Sequence, residues 1–335
     1  MATISVVVPV YNIAEYLPRC LDSLAAQQHA DMQFVLVDDG SSDGSGALCD
    51  SYAAKDTRFC VIHQPNSGVS RARNAGLRAA TGQYIGFVDG DDDIDPEMYL
   101  VLLKRLMDEA ADVAMCGYYE YLPDPQKAPL SPAPPLPATS SIHDALFGCM
   151  TRNGYFTAVW NKLFRRECLL KNGELITFDP ALSIGEDEVW LMRVLCNCNR
   201  FVFDPTPFYH WRSRSGSATR VSKLSERRLS ILKAKQIAIT LVAPYGADLV
   251  RLAKSRLFND CYHLKYMAYT FGDREQLQRI NEQLRPMRRD WLICHDSPPL
   301  RKIKGLTLEC LIGLNANKKW VTCVYNAKRK QAYRQ

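Results

Sequence analysis

Asp89-Gly90-Asp91-Asp92-Asp93 packs four carboxylates into five residues, directly after the apolar run Tyr84-Ile85-Gly86-Phe87-Val88. Carboxylates this close repel one another unless a cation or solvent relieves the charge. Hard oxygen ligands of this kind suit Mg²⁺ or Mn²⁺, which keep coordination positions for water and for a substrate's phosphates. The competing reading is an acidic turn capping a helix that begins near Pro96. Polar groups also stand at the ends of other apolar runs: Asn12 after 4–10, Asp38 and Asp39 after 32–37, Asn66 after 59–62. Asp38 or Asp39 could accept from a nucleobase N–H or a ribose hydroxyl, or serve as turn and N-cap acids. Arg71 and Arg73 stand beside Asn74 in a small-residue helical stretch, where side chains and helix N–H groups can hold phosphate. A solvated basic face explains the same two arginines.

For these groups to meet, the runs that carry them must lie side by side. Residues 3–121 alternate between strand-like runs (4–10, 32–37, 59–62, 83–88, 112–116) and helix-like segments (16–24, 47–55, 68–80, 96–109). The first run is continuously apolar and β-branched, which predicts a strand buried on both faces. A β-α-β-α order predicts a Rossmann-like α/β domain, with a mostly parallel sheet, right-handed crossovers and helices on both faces. The strand ends then project from one edge, where a single ligand can meet them all. No G-x-G-x-x-G follows the first strand, which argues against a dinucleotide held on the first helix. A proline-rich connector is expected at 122–138. Beyond it, 141–150 and 186–196 read as helices, 200–203 and 207–211 as short strands, and 224–286 as mainly helical, with breaks near Pro244-Tyr245-Gly246 and Gly272-Asp273. No internal repeat is evident.

The chain has 335 residues, 47% hydrophobic and 23% charged, which is ordinary for a globular protein. The start at Met1 has no basic n-region, and no apolar run reaches the ~18 residues a bilayer span requires, so neither a signal peptide nor a membrane helix is expected. The 12 cysteines are scattered without a dense framework, which predicts reduced thiols in a cytosolic protein. Cys196-Asn197-Cys198 is a C-x-C pair that could hold a metal, but no second pair or histidine cluster accompanies it in the sequence. The net charge of +6 is uneven: from Arg301 onward nine Lys and Arg face only Glu309, giving +8, so the rest carries about −2. A basic end of this kind meets an anionic membrane surface or nucleic acid, or is simply solvated. No nucleic-acid module accompanies it, so no nucleic-acid partner is expected.

Val8-Pro9-Val10-Tyr11-Asn12, Val37-Asp38-Asp39-Gly40-Ser41-Ser42-Asp43, Asn66-Ser67-Gly68-Val69-Ser70-Arg71-Ala72-Arg73-Asn74-Ala75-Gly76 and Phe87-Val88-Asp89-Gly90-Asp91-Asp92 resemble the family 2 glycosyltransferases of GT-A fold. Order and spacing match over about the first 115 residues, and more loosely to about residue 220 through Gly185-Glu186-Asp187-Glu188 and Tyr209-His210-Trp211-Arg212. The resemblance implies inverting, metal-assisted transfer of a sugar from a nucleotide diphosphate-sugar, most often a UDP-sugar, to a hydroxyl of a saccharide or lipid-linked acceptor in bacterial polysaccharide biosynthesis. Carried over by position, Pro9, Tyr11, Asn12, Asp38, Asp39 and Asn66 line the nucleotide pocket, and Arg73 sits near the base or diphosphate. Asp89 and Asp91 fill the D-x-D pattern, handling ribose and the divalent cation with Asp92 close by; Asp91 is the first choice as metal ligand. Glu186-Asp187 matches the family's acid pair, with Asp187 as general base; capping of its helix is the rival role. Arg212 lies where the family places a basic residue reaching the diphosphate, and a fork donor suits phosphate. His210 is read as core or site, and Trp160 either stacks on an acceptor sugar or packs inside with Leu163 and Phe164.

The expected division is a nucleotide-sugar-binding half at 1–121, the connector at 122–138, an acceptor-side half at 139–220 and a helical region with a basic tail at 221–335. The expected location is cytoplasmic, with the tail able to rest on the inner membrane face. Two other classes compete. A sugar-1-phosphate nucleotidyltransferase would want a Gly-rich loop after the first strand, where Tyr11-Asn12-Ile13-Ala14-Glu15 stands instead. A non-catalytic nucleotide-sugar-binding protein would have no use for Asp89, Asp91 and Asp187 together.

Overall fold

The computed structural model describes residues 4–121, 139–151, 157–213 and 224–285. The proline-rich stretch and the basic C-terminal segment lie outside the described residues. The described chain forms two compact units, one from residues up to 181 together with 186–213, the other from 182–185 together with 224–285.

In the first unit β1 (Ile4–Val10), α1 (Leu17–Ala25), β2 (Met32–Asp38), α2 (Ser45–Ala53), β3 (Phe59–His63), α3 (Val69–Ala79) and β4 (Tyr84–Phe87) follow in the predicted alternation. A two-residue β5 (Asp93–Ile94) and α4 (Met98–Asp108) lead into β6 (Val113–Tyr121). After β7 (Thr139–Ser141) and α5 (Ile142–Thr151) come β8 (Lys162–Arg165), a 3-10 turn at Arg166–Leu169, and a small hairpin of β9 (Leu170–Lys171) and β10 (Glu174–Leu175). Then α6 (Glu186–Leu195) and β11 (Arg200–Arg212) complete the unit.

Nine strands make one mixed sheet in the order β3-β2-β1-β4-β8-β6-β11-β5, with β7 also on β11. β3, β2, β1 and β4 run parallel, as the alternation requires. Both faces are covered, which is why β1 and β2 are largely apolar, with Ser5 and Gln33 hydrogen-bonded to each other at 2.6 Å. Val6, Val8, Phe34 and Leu36 pack into a core with α1 and α4, whereas Val35 and Val37 pack against Ala72 of α3. The close approach of α3 to β1 depends on Gly76, where a Cβ would lie 2.3 Å from Val7.

Two readings of the sheet need correcting. The strand after β4 in the sheet is β8, inserted antiparallel between β4 and β6. Three of its four residues, Lys162, Leu163 and Phe164, lie in the stretch Trp160-Asn161-Lys162-Leu163-Phe164, read from the sequence as acceptor surface or core. Trp160 is 3% exposed and stacks on Tyr209 at 4.2 Å, so it is core. The two short strands expected at 200–203 and 207–211 are one strand, β11, whose register on β6 shifts between Asp204 and Tyr209. Pro205 and Pro207, which cannot donate to the ladder, sit within that irregular stretch.

The second unit is helical, as expected: α7 (Glu226–Val242), a 3-10 turn at Ala243–Tyr245, α8 (Ala247–Phe271) and α9 (Arg274–Leu284). Ser225 and Asp273 cap α7 and α9 through Arg228 N–H and Gln276 N–H, and Gly272 ends α8 in the left-handed conformation at φ 74°. Leu232, Phe258, Tyr262, Met267, Ile280 and Leu284 belong to its own core. Among the described residues no helix is long and apolar enough to cross a membrane.

Candidate active site

Arg73 is the hub. It lies on the second turn of α3, is 3% exposed, and its guanidinium reaches three acids from elsewhere in the chain. Nη2 donates to Asp89 Oδ1 at 2.9 Å, Nη1 donates to Asp187 Oδ1 at 2.5 Å, and Glu186 Oε1 lies 3.7 Å from Nη1. The acid loop after β4 and the first turn of α6 are thereby joined. Burial alone would lower the Arg73 pKa, but Asp187, Asp89 and Glu186 more than offset it and raise it. Burial raises the Asp187 pKa above the ordinary carboxylate range, with Arg73 opposing and Glu186 and Asp89 adding to the rise. Arg73 Nε is buried and has no partner.

The support around this hub is specific. Next to Arg73, Asn74 makes a two-way clamp on the backbone of Phe178, donating to its carbonyl at 2.9 Å and accepting its N–H at 2.8 Å. Phe178 stacks on Trp190 of α6 at 4.6 Å, and Trp190 Nε1 donates to Ile176 O at 2.8 Å. α6 is thus fixed to α3 by its aromatic face, and Asp187 projects from its first turn, where the helix dipole favours an anion. Lys162 of β8 is fully buried, donates to Ala158 O at 2.7 Å and Asn161 Oδ1 at 2.8 Å, and burial lowers its pKa to about 8.

The four acids of the loop separate into two kinds. Asp92 is 1% exposed, and its oxygens accept from Tyr209 Oη at 2.8 Å and from Arg212 N–H at 2.8 Å. Tyr209 Oη also receives the Asp89 N–H at 3.2 Å, so the tyrosine shapes the loop. Burial and the nearby Asp91 and Asp89 push the Asp92 pKa up. Asp92 was expected among the metal ligands; facing inward with both oxygens engaged, it is a support of the loop. Asp93 is turned away as well, paired with Arg19 at 3.0 Å, with His210 at 2.9 Å, and with the Arg212 guanidinium. Arg212, expected at a diphosphate, is held by Asp93 and lies 4.2 Å above the Tyr121 ring. Its neighbour His210 spans Asp93 and Asp95. Asp89 and Asp91 remain partly open. Among the described residues only Arg73 engages the Asp89 carboxylate, through one oxygen. A pair of partly exposed hard oxygen donors on one loop fits Mg²⁺ or Mn²⁺ completed by water and phosphate.

At the ends of β1–β3 the predicted pocket residues also gather. Tyr11 is 48% exposed. Asn12 takes the left-handed conformation at φ 49°, and its side-chain oxygen accepts Ser42 N–H at 2.8 Å. Asp39 accepts from Ser67 N–H at 3.0 Å, Gly68 N–H at 2.8 Å and Gln64 Nε2 at 2.7 Å, which ties the end of β2 to the start of α3. Asp38 accepts Ser41 N–H at 3.0 Å and faces His63 Nδ1 at 2.9 Å, while His63 Nε2 faces Asp50 at 3.0 Å. Burial raises the Asp38 pKa, but the bonds from Ser41 and His63 outweigh it and lower it. Pro9 is half-buried beside Gly90, and Asn66 is exposed beside Gly40.

His63, Tyr209, Arg19 and Lys162 were missed in the sequence. His63 had a signal: it is paired in register with Asp38 across the parallel strands. Tyr209 and Arg19 act across 120 and 72 residues of chain, and Lys162 lies inside the core, where no local pattern points to them.

An open, mostly parallel α/β sheet thus carries an acidic loop after β4 and an acid pair at the start of α6. The sequence model of "Glycosyl transferase family 2" matches residues 5–172, and the chain belongs to this family. It is 32% identical to the uncharacterized glycosyltransferase EpsJ of Bacillus subtilis strain 168 over 72% of this chain and 70% of that protein. The crystal structure of S. aureus TarS 1-349 with UDP-GlcNAc superposes with a TM-score of 0.60 at 18% identity, covering 85% of this chain and 92% of that one. The mannosyltransferase PcManGT of Pyrobaculum calidifontis, in complex with GDP-Man and Mn²⁺, gives a TM-score of 0.54 at 16% identity, covering 88% of this chain and 84% of that one. At these identities the structures speak for the fold.

Proposed function

We propose that this glycosyltransferase moves a sugar, with inversion, from a nucleotide diphosphate-sugar to a hydroxyl of a saccharide or lipid-linked saccharide, with Asp187 as general base. The observation that carries the reading is the shared guanidinium: Asp89 of the D-x-D loop and Asp187 of the acid pair bind the same Arg73, at 2.9 and 2.5 Å. Inversion needs a proton acceptor on the face opposite the leaving diphosphate, and a carboxylate whose pKa burial has raised is a stronger acceptor than a free one. Glu186, 14% exposed and beside Arg73, positions that carboxylate by charge. Asp89 and Asp91 are the residues for the divalent cation, which when bound supplies a Lewis acid that offsets charge on the departing diphosphate. Tyr11 offers a face for a base to stack on, with Pro9, Asn12 and Asn66 beside it. The carboxylates of Asp38 and Asp39 are occupied within the protein, so their part is to shape that pocket, unless the donor displaces His63 or Ser67. UDP is the proposed nucleotide, as the family resemblance implies. The division into donor half, acceptor-side half and helical region carries over as part of this proposal.

The test is a panel of nucleotide sugars with Mn²⁺, scored by release of nucleoside diphosphate from the wild type, Asp91→Ala and Asp187→Asn. Wild type should release UDP from at least one UDP-sugar, Asp91→Ala should lose that activity, and Asp187→Asn should bind donor but turn over slowly. No release or binding of any nucleotide sugar, or an Asp91→Ala protein as active as wild type, would overturn it.

A further inference from the structure

One cysteine of the C-x-C pair that the proposed function leaves unused, Cys198, has partners in the fold. Cys198 follows α6 and lies against Cys168 in the 3-10 turn after β8 and Asp112 at the start of β6. The two Sγ atoms and a carboxylate oxygen all lie within 4.8 Å of one another. Tetrahedral Zn²⁺, at about 2.3 Å from sulfur and 2.0–2.2 Å from oxygen, sets such atoms roughly 3.5–4 Å apart, so small movements close the set. Cys168 and Cys198 are 6% and 8% exposed, while the Asp112 side chain is 16% exposed and gives a route from solvent. Two sulfurs and one oxygen favour Zn²⁺ over the Mg²⁺ or Mn²⁺ suited to the acid loop. An outer shell is present: Asp112 accepts Asn199 N–H at 2.6 Å and Arg200 N–H at 3.2 Å, with Arg165 Nε at 3.9 Å. Such contacts fix a ligating carboxylate.

We infer that Asp112, Cys168 and Cys198 form a Zn²⁺ site, with water in the fourth position, that ties the C-terminal end of α6 to β6 and to the turn after β8. The Cys198 S–H donates to Val194 O at 3.1 Å. Binding forms two Zn–S bonds and one Zn–O bond and releases two protons to solvent, with no change of oxidation state. α6 carries Glu186 and Asp187 at its other end, so the metal steadies the helix that presents the acid pair.

The test titrates the full-length, reduced, metal-free protein with Co²⁺ and with Zn²⁺. One equivalent of Co²⁺ added to the metal-free protein should give thiolate-to-metal charge-transfer absorption with two protons released per ion bound, Zn²⁺ should then displace Co²⁺ with no further proton release, and Zn²⁺ should protect Cys168 and Cys198 from alkylation mapped by mass spectrometry. Cys168→Ser and Cys198→Ser should lose the absorption, while Asp91→Ala and Cys60→Ser retain it. The alkylation map on the wild type stands even where a variant fails to fold. Absence of the absorption, its survival in Cys198→Ser, unprotected Cys168 and Cys198, or a Cys168–Cys198 disulfide in the reduced protein would overturn the site. None of these readouts depends on transferase activity.

Discussion

At the scale of single residues, Arg73 holds together a site that would otherwise repel itself. Asp89, Glu186 and Asp187 sit around one guanidinium, and without it three carboxylates share a largely dry space. Removing one partner of a buried ion pair costs about 3–5 kcal/mol. Arg73→Met should therefore lower stability by that order in denaturant unfolding and abolish turnover. Arg73→Lys should recover part of the stability and little activity, because one ammonium cannot bond Asp89 and Asp187 in a fork. Asp187→Asn separates chemistry from folding: the amide still accepts from Arg73, so the unfolding midpoint should move little while kcat falls on the order of 10²–10⁴-fold. A fall in donor affinity with unchanged kcat would instead make Asp187 a binding group. The acid loop was legible as a candidate from composition and position alone. Which acids face the ligand was not, because that depends on Tyr209 and Arg212, which reach Asp92 from 117 and 120 residues away. Likewise Arg73 reads locally as a phosphate donor; its service to three acids requires α6, which arrives 114 residues later.

At the scale of elements, the parallel half of the sheet was legible because each strand announces itself in a local run bounded by turn residues. β8 was not: four residues with no alternation become a strand only because β4 and β6 leave a place between them. Strand β11 was broken in two on paper because Pro205 and Pro207 cannot donate to a ladder, yet it passes that stretch by shifting register. The bend is held by Asp204, 7% exposed, which accepts Thr206 N–H at 3.0 Å and Arg105 Nε at 2.9 Å. Burial raises the Asp204 pKa, but the bonds from Thr206 and Arg105 outweigh it and lower it. A depressed folded-state pKa stabilises the protein above the unfolded value, and that increment is lost as pH falls through the folded value. Asp204→Asn should thus cost about 1–3 kcal/mol near pH 7. The gap from wild type should close as pH falls below ~4, the ordinary Asp range. A gap that is constant in pH would assign the loss to packing. The α3–β1 contact gives a second check: Gly76→Ala drives a methyl into Val7 and should destabilise by about 1–3 kcal/mol with no change in the pH profile of activity.

At the scale of the whole molecule, charge separates along the sequence in a way the fold does not explain. Residues from Arg301 onward carry +8 against a total of +6, so the remainder is slightly negative. A lipid-linked acceptor would be presented at a surface, and basic residues near an anionic bilayer each contribute about 1 kcal/mol, screened beyond a Debye length. Attachment through these basic residues would be electrostatic, with Trp320 beside Lys318 and Lys319. Flotation with vesicles rich in phosphatidylglycerol should carry the full chain upward at low salt and release it as salt rises, while phosphatidylcholine vesicles leave it behind. Replacing Lys318, Lys319, Lys328 and Lys330 with Gln should abolish flotation yet leave nucleoside diphosphate release from a soluble donor unchanged. Equal flotation of the two proteins would mean that the positive charge serves some purpose other than lipid contact, and the acceptor would then have to be sought among soluble saccharides.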